Sequence, residues 1–386
     1  MAGRHPVLAR LAEVLPGLAE RAPEIEQARR LPADISRALI GTGVFKLCVP
    51  ETLHGYAAEP QMTLEAIETA AAEDGSIGWT VMIGVTSGLT AGWLAPADAA
   101  LIHGQADSVT GGIFAPRGKA VRTAEGWRVT GNWPWASGSF HAGWMKGGCV
   151  AWEDGKPRLL REGVPEVLTV YMPRERIEFA DTWYSSGLCG TGSCDMSVHD
   201  LDVPAGHALS LSRDAPRVDA PLYRFPVFGL LAAGCGAVAL GIARAAITDL
   251  QDLAGAKVPT LSRRTLAERS STQSEVARAE ALVRSARAFL VEAVGDAWQD
   301  ATRGKAITLE RRMALRLAAT HATEAAAAAV DLCYRLAGGS AVYRSSPLQR
   351  RFRDIHVVTQ HMMVAPPSYE TAGRVLLGLP TDPSMI

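Results

Sequence analysis

The chain has 386 residues, of which 48% are hydrophobic and 20% charged, with a formal net charge of -1. That length can bury a large core and suggests two or three folding units, and the composition excludes a disordered or fibrous protein. So balanced a charge gives no electrostatic reason to expect nucleic acid or an anionic membrane surface as partner.

The first region, residues 1–105, reads as helical. Arg4 and Arg10 are followed by no apolar core of a signal peptide, so a cytoplasmic location is expected. Apolar residues recur at helical spacing up to Pro32, which resets the chain, and a short helix should then end near Gly41 or Gly43. Asp74-Gly75-Ser76 interrupts the next helical pattern, with Ser76 expected to cap a helix starting at Ile77.

Over residues 106–218 the period changes. GWRVTGNWPWASG, VLTVYMP and CDMSVHDLDVP are short runs rich in β-branched and aromatic residues, bounded by Gly and Pro. No helices separate them, which predicts an antiparallel barrel or sandwich rather than βαβ units. No G-x-G-x-x-G opens a helix after a strand, so the usual dinucleotide fingerprint is missing.

Residues 219–386 return to long, Ala-rich helical patterns and predict a four-helix bundle with a tail. Phe225 to Ala243 carries no charge and approaches membrane-spanning length, but its glycines and Pro226 favour a buried bundle helix. The six cysteines form no C-x-x-C pair, and no Cys/His grouping has metal-ligand spacing, so reduced thiols and no metal site are expected.

The stretch LAGGSAVYRSSPLQRRFRDIHVVTQH resembles the acyl-CoA dehydrogenase fold family, whose chains carry a Gly-Gly turn and then Arg-Asp near this point. It is most similar to the oxygenase components of two-component flavin monooxygenases, of the p-hydroxyphenylacetate hydroxylase and dibenzothiophene monooxygenase type. NWPWASG, TWYSSGLCGTGSCDMSVHDLDVP and ALGIARAAI resemble the same group. The resemblance implies an N-terminal helical domain, a middle antiparallel β domain and a C-terminal helical bundle. It also implies reduced FMN or FAD with dioxygen, a C4a-peroxyflavin acting on an aromatic substrate, a separate NAD(P)H:flavin reductase and a homo-oligomer, expected to be a tetramer.

The same resemblance separates oxygenase from dehydrogenase. Many acyl-CoA dehydrogenases carry their catalytic Glu eight residues after the Asp of Arg-Asp; here that position is Met362, preceded by His361. A thioether cannot take the substrate's α-proton. Glu370 lies sixteen residues past Asp354 and matches only through an insertion. A dehydrogenase or oxidase using FAD, and a non-catalytic interaction protein on the same scaffold, are the alternatives.

Among single residues, His361 is the candidate on the substrate side, because imidazole can accept or hold a phenol proton. Ser137 is the candidate on the flavin side; a local Ser-Gly turn explains it equally well before the resemblance is weighed. Trp135, Thr191 and Ser193 are expected along the flavin ring. Gly338 and Gly339 form either a turn near the cofactor or a helix C-cap. Arg263 and Gln273 are the nearest matches to the family's phosphate or subunit contacts, although an ordinary ion pair suits Arg263 as well. Trp79, Trp183 and Phe352 are expected to line an aromatic pocket, or to pack the core. Gly84-Val85-Thr86 lacks the histidine of the sulfur-oxidising relatives, which leaves phenolic, indolic or polyketide-like substrates.

Overall fold

The computed structural model describes residues 5–382 and Ile386. Arg4 lies outside the described residues. The N-terminal region is helical: α1 (Pro6–Ala19), α2 (Ala22–Ala28), α3 (Ala33–Gly41), α4 (Pro60–Glu73), α5 (Gly75–Gly88) and α6 (Pro96–His103). Pro32 is the N-cap of α3, which ends at Gly41. The cap between α4 and α5 differs from the sequence expectation. Asp74 fills that position: its carboxylate accepts from the N–H groups of Ser76 and Ile77 at 2.9 and 3.1 Å, so α5 begins at Gly75. A short side chain one residue earlier reaches the same free donors, and a carboxylate also suits the helix dipole.

The middle region holds β1 (Thr110–Arg122), β2 (Gly126–Trp133), β3 (Trp144–Glu153), β4 (Lys156–Pro157), β5 (Leu159–Arg161), β6 (Val164–Pro165), β7 (Val167–Pro173), β8 (Glu178–Ala180), β9 (Asp195–Pro204) and β10 (Ala208–Leu209). One eight-stranded sheet runs in the order β10-β7-β3-β1-β2-β9-β8, with β4 hanging from β3. Its pairs are antiparallel except one: β1 and β3 are parallel, so the sheet is mixed. After the β1–β2 hairpin, residues 134–143 carry the chain back across β1 to its other edge, where β3 enters in the same direction. Strand periodicity reports a face, not the direction of a neighbour, which is why the parallel pair was invisible.

The C-terminal region holds α7 (Pro221–Arg224), α8 (Val227–Ala256), α9 (Ser270–Thr302), α10 (Leu309–Ala337), α11 (Pro347–Val358) and α12 (Pro367–Leu376). The uncharged stretch forms the first half of α8, which packs against α4, α5, α10 and α11. Nearly every residue of that half is buried, so by length and composition it passes for a span but it serves as the core helix. Gly241 lets α4 approach closely: a Cβ there would stand 2.4 Å from the Glu68 carbonyl oxygen. Helices this near one another carry small residues at the crossing for steric reasons.

Candidate active site

A cavity of about 550 Å³ opens where α5, β1, the β2–β3 loop, the 181–194 loop, the start of α8 and the turn after α11 meet. Its size suits a planar cofactor or a drug-sized ligand. Seven of the residues expected from the sequence line it: Trp79, Trp135, Ser137, Trp183, Thr191, Ser193 and His361. They come from four separate stretches of chain, and the fold alone brings them together.

Hydroxyls make the polar side of the cavity. Trp79 Nε1 donates to Ser137 Oγ at 3.2 Å, Ser137 Oγ shares a hydrogen bond with Ser193 Oγ at 2.7 Å, and Ser193 Oγ shares another with Thr191 Oγ1 at 2.8 Å. If Thr191 donates to Ser193 and Ser193 to Ser137, both acceptor sites of Ser137 are filled and its O–H remains to donate to a ligand. The loop carrying Ser137 is pinned to β1, where Gly112 N donates to the Ser137 carbonyl at 3.1 Å. Trp135, at φ +64°, is mostly exposed with its ring at the cavity's rim. A non-glycine residue with positive φ is a conformation that surrounding structure must impose.

His361 lies in the turn just past α11 rather than on the helix, and its ring meets that of Trp79 edge-on at 5.3 Å. Its Nδ1 accepts from the Met363 N–H at 3.3 Å and stands 3.5 Å from Cys235 Sγ. The backbone donor fixes the neutral tautomer with its proton on Nε2. Enclosure by protein, and then the nearby Arg316 cation, push the imidazole down to about 4. His361 is therefore a neutral donor at pH 7. Of the two roles expected for this imidazole, holding a substrate's hydrogen bond suits these surroundings, while accepting a phenol proton is opposed by them.

The 181–194 loop is held from α11 by the Arg-Asp pair. Leu188 N donates to Asp354 Oδ1 at 2.6 Å, and Arg353 donates to the Ser186 carbonyl at 2.7 Å while pairing with Glu26 at 2.8 Å. Trp183 Nε1 returns to the Leu188 carbonyl at 3.2 Å. Burial, and then the neighbouring Asp74 carboxylate, raise the Asp354 pKa. Sequence reasoning used Arg353-Asp354 as a signature and missed what it holds. It also missed Phe114, Phe228 and Gln360 on the cavity wall, which carry no motif.

Five expected residues lie elsewhere. Phe352 stacks on Tyr334 at 4.5 Å and meets His356 at 4.6 Å, away from the cavity. Its position on α11 turns it toward α10, whereas Val357 and Gln360 reach the cavity. Gly338 is the C-cap of α10 at φ +55°, with Gly339 following, and Lys257 Nζ donates to the adjoining Ala337 carbonyl at 2.5 Å. Arg263 and Gln273 are exposed, and Gln273 donates to the Ala267 carbonyl at 3.0 Å. None of these four lines the cavity within one chain.

The donor set fits a flavin ring: hydroxyls able to meet heteroatoms at an edge, with tryptophans and aliphatic side chains for its faces. Among the described residues no Lys or Arg side chain lines the cavity, which leaves a flavin's phosphates without a cation there. No Asp or Glu lines it either, and Glu370 is exposed on α12. Among the described residues no group of three or more metal-ligating side chains occurs.

Residues 233–366 match the family model described as acyl-CoA dehydrogenase, C-terminal domain. The chain is similar to indole-3-acetate monooxygenase of Pseudomonas putida, with 32% identity covering 95% of this chain and 92% of that protein. It is 30% identical to the flavin-dependent monooxygenase oxygenase subunit HsaA of Rhodococcus jostii, over 98% of this chain and 100% of that one. The crystal structure of 3-HSA hydroxylase from Rhodococcus sp. RHA1 superposes with a TM-score of 0.90 at 29% identity, covering 99% of both chains.

Proposed function

The chain belongs to the flavin-dependent monooxygenase oxygenase subunits built on the acyl-CoA dehydrogenase fold, and from that premise we propose how its cavity serves aromatic hydroxylation. It is the oxygenase component of a two-component system, using reduced flavin and dioxygen on an aromatic substrate. The bound reduced flavin supplies the activation of dioxygen. The protein supplies binding, orientation and exclusion of water.

One observation carries this reading: the cavity offers hydroxyls, aromatic rings and a neutral imidazole but no carboxylate. Dehydrogenation of an acyl chain needs a base for the α-proton, and a carboxylate is the group suited to it. Hydroxylation of an electron-rich ring needs donors that orient oxygen instead. In this assignment Ser137 donates to the flavin edge, with Ser193 and Thr191 behind it and Trp135 at the ring. His361 holds the substrate oxygen through Nε2–H, and Trp79 and Trp183 wall the substrate. The phosphate end falls to Arg263, Gln273, Gly338 and Gly339 across a subunit boundary. A phenolic or indolic substrate suits this site, and the Pseudomonas putida relative that acts on indole-3-acetate favours the indolic class. A homotetramer in the cytoplasm, supplied by a separate reductase, completes the proposal.

Purified protein is expected to retain little oxidised flavin and to show no bleaching with acyl-CoA. Given anaerobically reduced FMN or FAD, then oxygen and a panel of phenols and indoles, it should yield a hydroxylated product. Tight FAD bleached by an acyl-CoA would instead establish a dehydrogenase.

A further inference from the structure

Lys146 on β3 is wholly buried. Its ammonium donates to the Ser87 carbonyl at 3.3 Å and stands 4.5 Å from the centre of the Phe114 ring and 5.9 Å from that of Tyr171. Among the described residues no carboxylate pairs with it, and burial alone pushes its pKa down to about 7. An ammonium has three donors, and one carbonyl and two ring faces satisfy it poorly. Burying a cation without a counter-charge is costly, so such a lysine calls for a reason.

Its position supplies one. Ser87 and Phe114, the two residues its ammonium touches, both line the cavity. So does Gly112, which faces Lys146 in the β1–β3 register. Gly112 sits at φ +114°, and a Cβ there would come within 2.1 Å of the Lys146 carbonyl oxygen, so the two strands lie flush with no side chain between them. Lys146 is thus one residue layer behind the wall. The other titratable groups beside it are Tyr171 on β7, whose hydroxyl is bonded to Thr90 at 2.5 Å, and His103 on α6, kept neutral by burial and then by the Lys146 and Lys46 cations. Neither supplies a negative charge.

We propose that the substrate is an aromatic compound bearing a carboxylate, and that Lys146 selects it from behind the wall formed by Ser87, Gly112 and Phe114. The proposal rests on the reading that an aromatic substrate enters this cavity. A carboxylate is ionised throughout the range in which this amine titrates, whereas an ordinary phenol enters neutral and would draw no charge from it. In an apolar cavity a nearby cation favours an anion strongly, and the bound anion in turn keeps the amine protonated.

The test is calorimetric binding, under anaerobic conditions, to protein saturated with reduced FMN or FAD. The probes are 1-naphthaleneacetate and its neutral amide, in two buffers of different ionisation enthalpy at pH 8. Wild type should bind the carboxylate on the order of tenfold more tightly than the amide. It should also take up most of one proton with the carboxylate and none with the amide. In Lys146→Met the preference and the proton uptake should both disappear while amide affinity is kept. Should that variant fail to fold, His361→Asn decides, because among the described residues His361 is the only acid–base side chain lining the cavity; uptake must persist there. Equal affinities in wild type, a preference retained in Lys146→Met, or uptake lost in His361→Asn would each overturn the proposal. Binding of both probes alike sinks the carboxylate selection alone, whereas binding of neither sinks it together with the aromatic-substrate reading.

Discussion

At the scale of single residues, the proposed chemistry is divided between a neutral imidazole and a hydroxyl. The Met363 N–H holds His361 as the Nε2–H tautomer, and enclosure pushes its pKa down to about 4. Its folded pKa lies below the ordinary value, so the neutral form prevails from about pH 5 upward. His361→Ala should therefore lower the rate of hydroxylation about ten- to hundredfold, the range expected for a lost, well-placed hydrogen bond. The pH profile of kcat/KM should keep its shape between pH 6 and 8. A step near pH 6.5 present in wild type and abolished by the substitution would refute the assignment of His361 as neutral in this range. Ser137 accepts from Trp79 and, where Ser193 donates to it, keeps its own proton for the cavity. Ser137→Ala should shift oxygen use from product toward hydrogen peroxide, measured as the ratio of the two at fixed oxygen consumption. Unchanged coupling would remove Ser137 from the flavin side. Both residues were legible in the sequence only through family resemblance. What the sequence did not carry was their environment: nothing in His361-Met362-Met363 announces that the third residue's N–H caps the ring of the first.

At the scale of elements, the 181–194 loop matters most, since it carries Trp183, Thr191 and Ser193 to the cavity. Asp354 anchors it by accepting from Leu188 N, a residue at φ +48° that would not hold that backbone unaided. Asp354→Ala would leave the buried Leu188 N–H without a partner, at a cost of about 1–3 kcal/mol. The expected results are a lowered melting temperature and faster hydrogen exchange across residues 182–193. Asp354→Asn keeps an acceptor and should restore most of both. Because burial and Asp74 raise the Asp354 pKa above its unfolded value, the stability this carboxyl contributes is present at low pH and lost as pH rises through the folded pKa. Asp354→Asn should remove that part of the pH dependence; exchange as fast as in the Ala variant would contradict the anchoring role. The helices were readable from periodicity and caps, as α3 and α10 illustrate. The strands were read unevenly. β7 and β9 follow the β-branched pattern, whereas β1, TGGIFAPRGKAVR, is broken by glycines, a proline and charges and pairs in a shifted register around Pro116. Such a strand exists because its neighbours on both sides hold it, which local propensity does not record.

At the scale of the molecule, the order helices, sheet, bundle was visible in the chain, because the hydrophobic period changes twice. The cavity was not, since it forms where all three regions meet and its lining comes from elements distant in sequence. Arg263 and Gln273, proposed for the flavin's phosphates, are exposed and do not line the cavity of one chain, which accords with a site completed by a neighbouring subunit. Light scattering at micromolar concentration should give about four times the chain mass, as expected for a closed symmetric assembly. A monomer retaining full reduced-flavin affinity would contradict that completion. The central claim is that one atom of dioxygen enters an aromatic substrate in this cavity. The most direct measurement is a single turnover with anaerobically reduced flavin, a hydroxylatable phenol or indole, and isotopically heavy dioxygen, followed by mass spectrometry of the product. One heavy oxygen atom per product molecule is predicted; product whose added oxygen comes from water, or consumption of all dioxygen as hydrogen peroxide across the whole panel, would contradict the account.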